Sequence, residues 1–497
     1  MMALADNFLF SLFSLSALFG IIFLFLNLKN RLLLQKIAFY VSVVIFITAL
    51  TAFCLFAAGN HPSIFAVSAK WMSSLNMVIC LGADKFSMSM ILLAAAFLPV
   101  SIITVSHAQR TGNAFYSCLF FLQAAVIGLF SSEDLFSFFF FWQLSILPVL
   151  FLSGIWGKQG RAAAVEKFFI VYSVFSLLFL LGIFGIAENM HYLTGNWSLV
   201  FKDVAKAGIS SSQQIFYFIL LMPVFMLRLA AFPLHTWFCS LVKENQPAVN
   251  IFLAGTFIPA GAAGLVKIIF PILPKGVLFL SPYLSFLFAL SFAYLALMAW
   301  AAKSFSGMLA YLFSAQFSLV LFGLFSSYSN KMPALFLTVA ISVSAAVLFF
   351  LSGAIENRAK TDIIADLHFP FKGMPRTSSL LLIALLSIAG LPCLASFPGI
   401  YGIIRNAFSS APFSAIIAVA GVFFSFACCF RAAQEMLFGK KTSAAIAMPE
   451  LKKQEILVIL PFVIILFFLG IMPNFSAGCF AGGSTDSVSR EALNGKR

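Results

Sequence analysis

The chain is expected to be an all-α polytopic membrane protein with about fourteen transmembrane helices, the seventh and the twelfth of them broken. Composition, the spacing of apolar runs and two proline-interrupted spans carry that expectation. Of 497 residues 62% are hydrophobic and only 9% charged, too few charges to cover a water-soluble globule. The 64 phenylalanines are spread through nearly every apolar run, so they read as packing and lipid-facing bulk rather than an aromatic site. A net charge of +14 would point to nucleic acid in a soluble protein; here it reads as basic loops beside a lipid bilayer, with no nucleic-acid partner.

Runs of roughly twenty apolar residues, enough to cross the hydrocarbon core, fall at about 7–27, 37–58, 86–106, 114–132, 134–156, 167–187, 214–234, 248–270, 277–301, 308–327, 333–353, 378–403, 413–437 and 455–473. An even number places both termini on one side. The loops after odd-numbered spans hold 18 of the 30 lysines and arginines, so the positive-inside rule makes those loops cytoplasmic and puts both termini outside a bacterial inner membrane. The first run has no basic segment before it and reads as a retained helix rather than a signal peptide. Gaps at about 59–85, 188–213, 354–377 and 438–454 are too short for a soluble domain; Thr361–Asp366 suits the start of a small amphipathic helix. The expected division is 1–112 (helices 1 to 3), 113–410 (core), 411–473 (helices 13 and 14) and a polar, Gly/Ser-rich tail at 474–497.

The stretch Leu220–Glu244 is apolar enough to enter a bilayer, yet it holds Arg228 and is interrupted by Pro223 and Pro233. A guanidinium at that depth costs at least about 2.5–3.5 kcal/mol on insertion scales, so it faces protein or a wet cavity and marks a functional path. A second interruption, GLPCLASFPG at 390–399, places Pro392 and Pro398 in an apolar span five helices later. Prolines alone can merely kink packed helices; the matching offset favours an internal repeat with a path at its interface. The eight cysteines form no CxxC pair and lie mostly in apolar runs, so no cluster, metal site or disulfide framework is expected.

Glu133–Gly157, EDLFSFFFFWQLSILPVLFLSGIWG, followed by EKFFIVYSVFSLLFLLG at 166–182, resembles the core of the antiporter-like membrane subunits of respiratory complex I, a family shared with Mrp-type cation antiporters. FPLHTW at 232–237, NIFLAG at 250–255, AGAAGLVK at 260–267, LAY at 309–311, LFFLSG at 348–353 and GLP at 390–392 continue the resemblance in order, and LGADKFSMSMILLAAAFLPV at 81–100 is similar to the family's third helix. It covers roughly 80–405. The resemblance implies an antiporter-like fold with two inverted five-helix repeats, other membrane-arm subunits as partners, and no flavin, iron–sulfur or nicotinamide site in this chain.

The resemblance also implies a proton path through the broken helices, built from groups whose pKa values move as neighbouring charges form and part. At each expected position this chain carries something else. The fifth-helix Glu position is Gln143, and the seventh-helix Lys position is Arg228, which stays charged at any physiological pH. The eighth-helix Lys falls on Pro259, the tenth-helix His on Gln316, the eleventh-helix His on Ile341, and the Glu or Lys after the second break on Ile400. Gln143 and Arg228 are expected to form a permanent polar contact where the family has a switchable pair.

Three groups could act as polar partners. His235 sits in the break and is expected to hold the broken backbone by a hydrogen bond rather than to titrate. Lys267, near the end of the eighth helix, is expected to snorkel toward the interface. Glu244 is a candidate counter-ion for Arg228, and Glu133 and Asp134 suit the N-terminus of the fifth helix. The function expected is a membrane-arm subunit of a complex I-like redox-driven translocase, with a degenerate proton path of its own. The alternatives are an Mrp-like cation/proton antiporter or ion-coupled uptake subunit, and a non-transporting scaffold.

Overall fold

The computed structural model describes residues 8–26, 30–58, 64–72, 77–105, 111–328, 330–367, 374–438 and 449–474. The tail from 475, and five of the orienting basic residues (Lys29, Arg110, Lys372, Lys440 and Lys441), lie outside the described residues.

The chain opens with helices α1 (Phe8–Phe25) and α2 (Arg31–Ala58). An antiparallel hairpin, β1 (Ile64–Met72) and β2 (Met77–Ala83), leads into α3 (Lys85–Thr104), α4 (Asn113–Ser131), α5 (Leu135–Trp156) and α6 (Arg161–Thr194). After the short α7 (Phe201–Lys206) come the two pieces of the first break, α8 (Ser211–Arg228) and α9 (Thr236–Glu244). Then follow α10 (Pro247–Ile272), α11 (Pro274–Ala301), α12 (Phe305–Ser326) and α13 (Met332–Ala359). The second break separates α14 (Pro375–Ala389) from α15 (Ser396–Ser410), and α16 (Pro412–Phe438) and α17 (Lys453–Ile471) close the described chain.

Eleven of these helices are long and apolar enough to cross a bilayer, so the chain is a multi-span membrane protein. The expected spans outside that set are 7–27, whose helix is shorter, and 214–234 and 378–403, which the structure divides. The middle stretches of α10 and α13 are wholly buried at the centre, whereas α2, α6 and α17 present leucine, isoleucine and phenylalanine outward. That is the pattern of a bundle dissolved in lipid, where the solvent is as apolar as the core.

One unforeseen element and one corrected expectation lie in the gaps between spans. The gap at 59–85 holds the β-hairpin, since a search for twenty-residue runs passes over strands of nine and seven residues. Thr361–Asp366 forms one 3-10 turn, Ile364–Asp366, rather than the start of a helix. Its Asp362 carboxylate accepts from the backbone N–H and the hydroxyl of Ser306, so the segment caps α12 instead.

The two breaks are built alike. At the end of α8, Ala230 donates to Leu227 O and Ala231 to Met226 O; at the end of α14, Gly390 donates to Ser387 O and Leu391 to Leu386 O. Both are the paired bonds of a Schellman stop, with left-handed residues Ala230 (φ 49) and Gly390 (φ 86) at equivalent places. A neighbouring helix backbone lies directly on each break. A Cβ on Gly261 of α10 would stand 2.8 Å from Leu229 Cγ, and one on Gly470 of α17 would stand 2.4 Å from the Cys393 carbonyl carbon. The paired construction supports the two-fold repeat expected from the proline spacing.

Candidate functional site

Arg228 is the last residue of α8 and is fully buried. Its Nε donates to Phe257 O at 2.7 Å and its Nη2 to Ser145 Oγ at 3.0 Å. The guanidinium carbon lies 3.3 Å from the Phe257 ring centroid and 4.5 Å from that of Trp142. Nη1 and the Tyr172 hydroxyl are both buried, and neither has a hydrogen-bond partner among the described residues. No carboxylate pairs with the charge among the described residues; two neutral oxygens and two ring faces hold it.

The irregularity of α10 explains why the Phe257 carbonyl is free. Leu253–Phe257 is a π-helical turn, and Pro259 follows. Gly261 N–H then turns back to Ile258 O rather than reaching Phe257 O. A carbonyl released inside a membrane bundle needs an internal donor. Arg228 supplies it, so the arginine and the proline that stand at two expected lysine positions belong to one static arrangement.

The contact expected between Gln143 and Arg228 is not formed. Gln143 Oε1 accepts instead from Ser176 Oγ of α6 at 2.7 Å. Side chains advance by about 100° per helical residue, so Trp142 and Ser145 share a face of α5 toward Arg228 while Gln143 turns to α6. That spacing was the available signal for Ser145, which the motif comparison passed over.

The remaining path positions are neutral and closely packed. Gln316 is fully buried, and its Nε2 donates to Ile388 O, in the last turn before the second break, at 2.8 Å. It supports broken backbone, as Arg228 supports a freed carbonyl. Ile341 and Ile400 are buried and apolar. Of the nearby hydroxyls, Thr338 donates to Ala334 O, Ser342 to Thr338 O and Ser318 to Ser314 O, while Ser318 also meets Ser291 Oγ at 2.8 Å and Ser344 meets Ser387 Oγ at 3.4 Å across helices; none of these groups titrates at physiological pH.

Among the described residues none of the three suggested partners pairs with Arg228. His235 is buried among Phe232, Tyr294 and Tyr311 without a side-chain cap, and its Nδ1 has no hydrogen bond. The first break is held instead by Trp237 Nε1 donating to Leu227 O at 2.9 Å and by Phe232 N–H donating to Ser291 Oγ at 3.0 Å. Glu244 stands at the far end of α9, about 12 Å along the axis from the break. Its Oε2 accepts from Gly160 N–H at 2.9 Å, and it does not reach Arg228.

Lys267 does not snorkel. Its side chain is 6% exposed and its Nζ donates to Phe130 O (2.8 Å), Ser132 O (3.1 Å) and Glu133 Oε1 (3.2 Å). It reaches inward because the last carbonyls of α4 are unpaired acceptors at the negative end of that helix. Glu133 is therefore an ion-pair partner rather than a cap. Asp134 alone caps α5, accepting from Ser137 N–H (2.7 Å) and Ser137 Oγ (2.6 Å), and it also accepts from Cys80 N–H of β2 at 2.8 Å. Burial pushes the Asp134 carboxyl up from its ordinary range, and these hydrogen bonds pull against it. This cluster is the site's other ionic feature, and it sits at the mouth of α5 rather than along the breaks.

Residues 132–425 match the family described as NADH:quinone oxidoreductase/Mrp antiporter, TM. The chain is 24% identical over 463 residues to NADH-quinone oxidoreductase subunit M of Rickettsia typhi, covering 91% of this chain and 92% of that protein. Its fold matches a chain of respiratory complex I from Thermus thermophilus with TM-score 0.86 at 24% identity, covering 99% of each chain. It also matches a chain of the Mrp complex from Dietzia sp. with TM-score 0.83 at 16% identity, covering 100% of this chain and 98% of that one. The family match spans more than half of the 497 residues, and the chain belongs to the NADH:quinone oxidoreductase/Mrp antiporter membrane family.

Proposed function

We propose that the chain is a membrane-arm subunit of a complex I-like, proton-translocating NADH:quinone oxidoreductase, and that its own lateral path carries no protons. The observation that carries the second part is Arg228: a permanent charge held by Phe257 O and Ser145 Oγ, with no carboxylate to exchange a proton with. Gln143, Pro259, Gln316, Ile341 and Ile400 offer no titrating relay, and Gln316 and Arg228 are engaged with backbone carbonyls. Such a subunit transmits contacts between its neighbours, binds no redox cofactor and forms part of a larger redox-driven enzyme. The first part is supported by the relatives named as NADH-quinone oxidoreductase subunits, which align along almost the whole chain.

In this reading the chain crosses a bacterial inner membrane fourteen times, counting α1 and each divided pair as one crossing, with both termini outside. The core is 113–410, flanked by 1–112 and by 411–473 with its tail at 474–497. Affinity purification of the tagged chain from its native membrane tests the assignment. Large peripheral redox subunits are expected to co-purify; small antiporter subunits without them would favour the Mrp-like alternative, and neither would favour a scaffold.

A further inference from the structure

The N-terminal ends of α14 and α17 border an open groove of about 600 Å³. Leu380, Ile456, Leu457 and Leu460 line its length, and Arg376 and Lys453 line it at the first turn of each helix. Lys453, Leu457 and Leu460 follow one another along α17 over about 10 Å, so the groove runs from a cationic end to an apolar one. Leu457 is 72% exposed, and the volume lies in the range that holds a small-molecule ligand.

The nearby carboxylates are engaged with other partners rather than with these two side chains. Glu450 Oε1 accepts from the backbone N–H groups of Arg376 (2.9 Å) and Thr377 (3.1 Å). Glu455 Oε2 is bound to Arg358 Nη2 (2.7 Å) and to Lys452 N–H (2.7 Å). Among the described residues no ion pair joins either carboxylate to Arg376 or Lys453. An unpaired guanidinium and ammonium therefore flank the head of an apolar trough on the lipid-facing side of the bundle.

We propose that this groove binds an anionic phospholipid, its phosphate between Arg376 and Lys453 and one acyl chain along Leu380, Leu457 and Leu460. A free phosphate ion would use the cations and leave the trough empty, while a zwitterionic lipid brings its own cation to the charged end. The inference does not depend on the complex I assignment.

The test is native mass spectrometry of the full-length chain in nonionic detergent, offered phosphatidylglycerol, phosphatidylcholine or inorganic phosphate. Phosphatidylglycerol is expected to be retained at least about tenfold more than phosphatidylcholine, and phosphate not at all. The Arg376→Gln/Lys453→Gln variant is expected to lose retention by about fivefold per cation, about 25-fold in all. Leu457→Trp, which keeps both cations but fills the trough, is expected to lose it as well, and Lys202→Gln/Lys206→Gln to keep it. Equal retention of the two lipids, undiminished binding in the double-Gln variant, or phosphate binding as well as the lipid would overturn the proposal. So would phosphatidylglycerol that binds the lone chain but is absent from this groove in the native assembly, because a neighbouring subunit would then be its occupant.

Discussion

Replacing Lys267 by Met is expected to destabilise the folded chain by about 3 kcal/mol, the lower end of the cost of removing one partner from a buried pair. The ammonium serves three acceptors at once: Phe130 O and Ser132 O at the end of α4, and Glu133 Oε1. Without it two buried carbonyls and a part-buried carboxylate lose the donor they share. Glu133→Gln removes only the ionic component and leaves both carbonyls paired, so a loss under about 1 kcal/mol is expected. Denaturant unfolding of the purified chain in detergent measures both. If the two variants behaved alike, or if Lys267→Met were silent, the lysine would not be the cap of α4.

Asp134→Ala is expected to cost a similar amount, about 3 kcal/mol, through a different set of bonds. The substitution removes the N-cap of α5, whose bond to Ser137 N–H is worth about 1 kcal/mol, and leaves the Cys80 N–H without its acceptor at about 1–3 kcal/mol if it stays buried. Cys80 lies on β2, so the loss is expected to loosen the hairpin as well as the helix. Hydrogen exchange at Cys80 and Ser137 reads the two effects separately. Asp134→Asn, which keeps an acceptor oxygen, is expected to recover most of the stability; full loss in that variant would mean that charge rather than acceptor geometry holds the junction.

These two residues show where sequence reasoning reached and where it stopped. The multi-span class, the two breaks and the family were legible because apolar length, proline spacing and local motif order are properties of contiguous sequence. The cap on Asp134 was legible for the same reason, since a carboxylate just before an apolar run has few other uses. Lys267 was misread because its partners lie more than 130 residues earlier, at Phe130, Ser132 and Glu133. Arg228 was found as a buried charge, but its partners were not. The expected Glu244 is tied to Gly160, Gln143 faces Ser176, and the true acceptor is a carbonyl released by the irregularity of α10. No side-chain pattern announces a free backbone carbonyl; it arises where Gly261 N–H turns back to Ile258 O after the irregular turn Leu253–Phe257.

The central claim is that Arg228 is a structural donor and not a proton carrier. Proton uptake by the purified native assembly in proteoliposomes, measured per electron pair with Arg228→Met in this subunit, tests it most directly. Arg228→Gln, which keeps a donor for Phe257 O, serves should the Met variant fail to assemble. The wild-type number of protons per electron pair is expected in any variant that assembles, with reduced stability in the Met variant. A fully assembled complex that oxidises its substrate but moves fewer protons would contradict it.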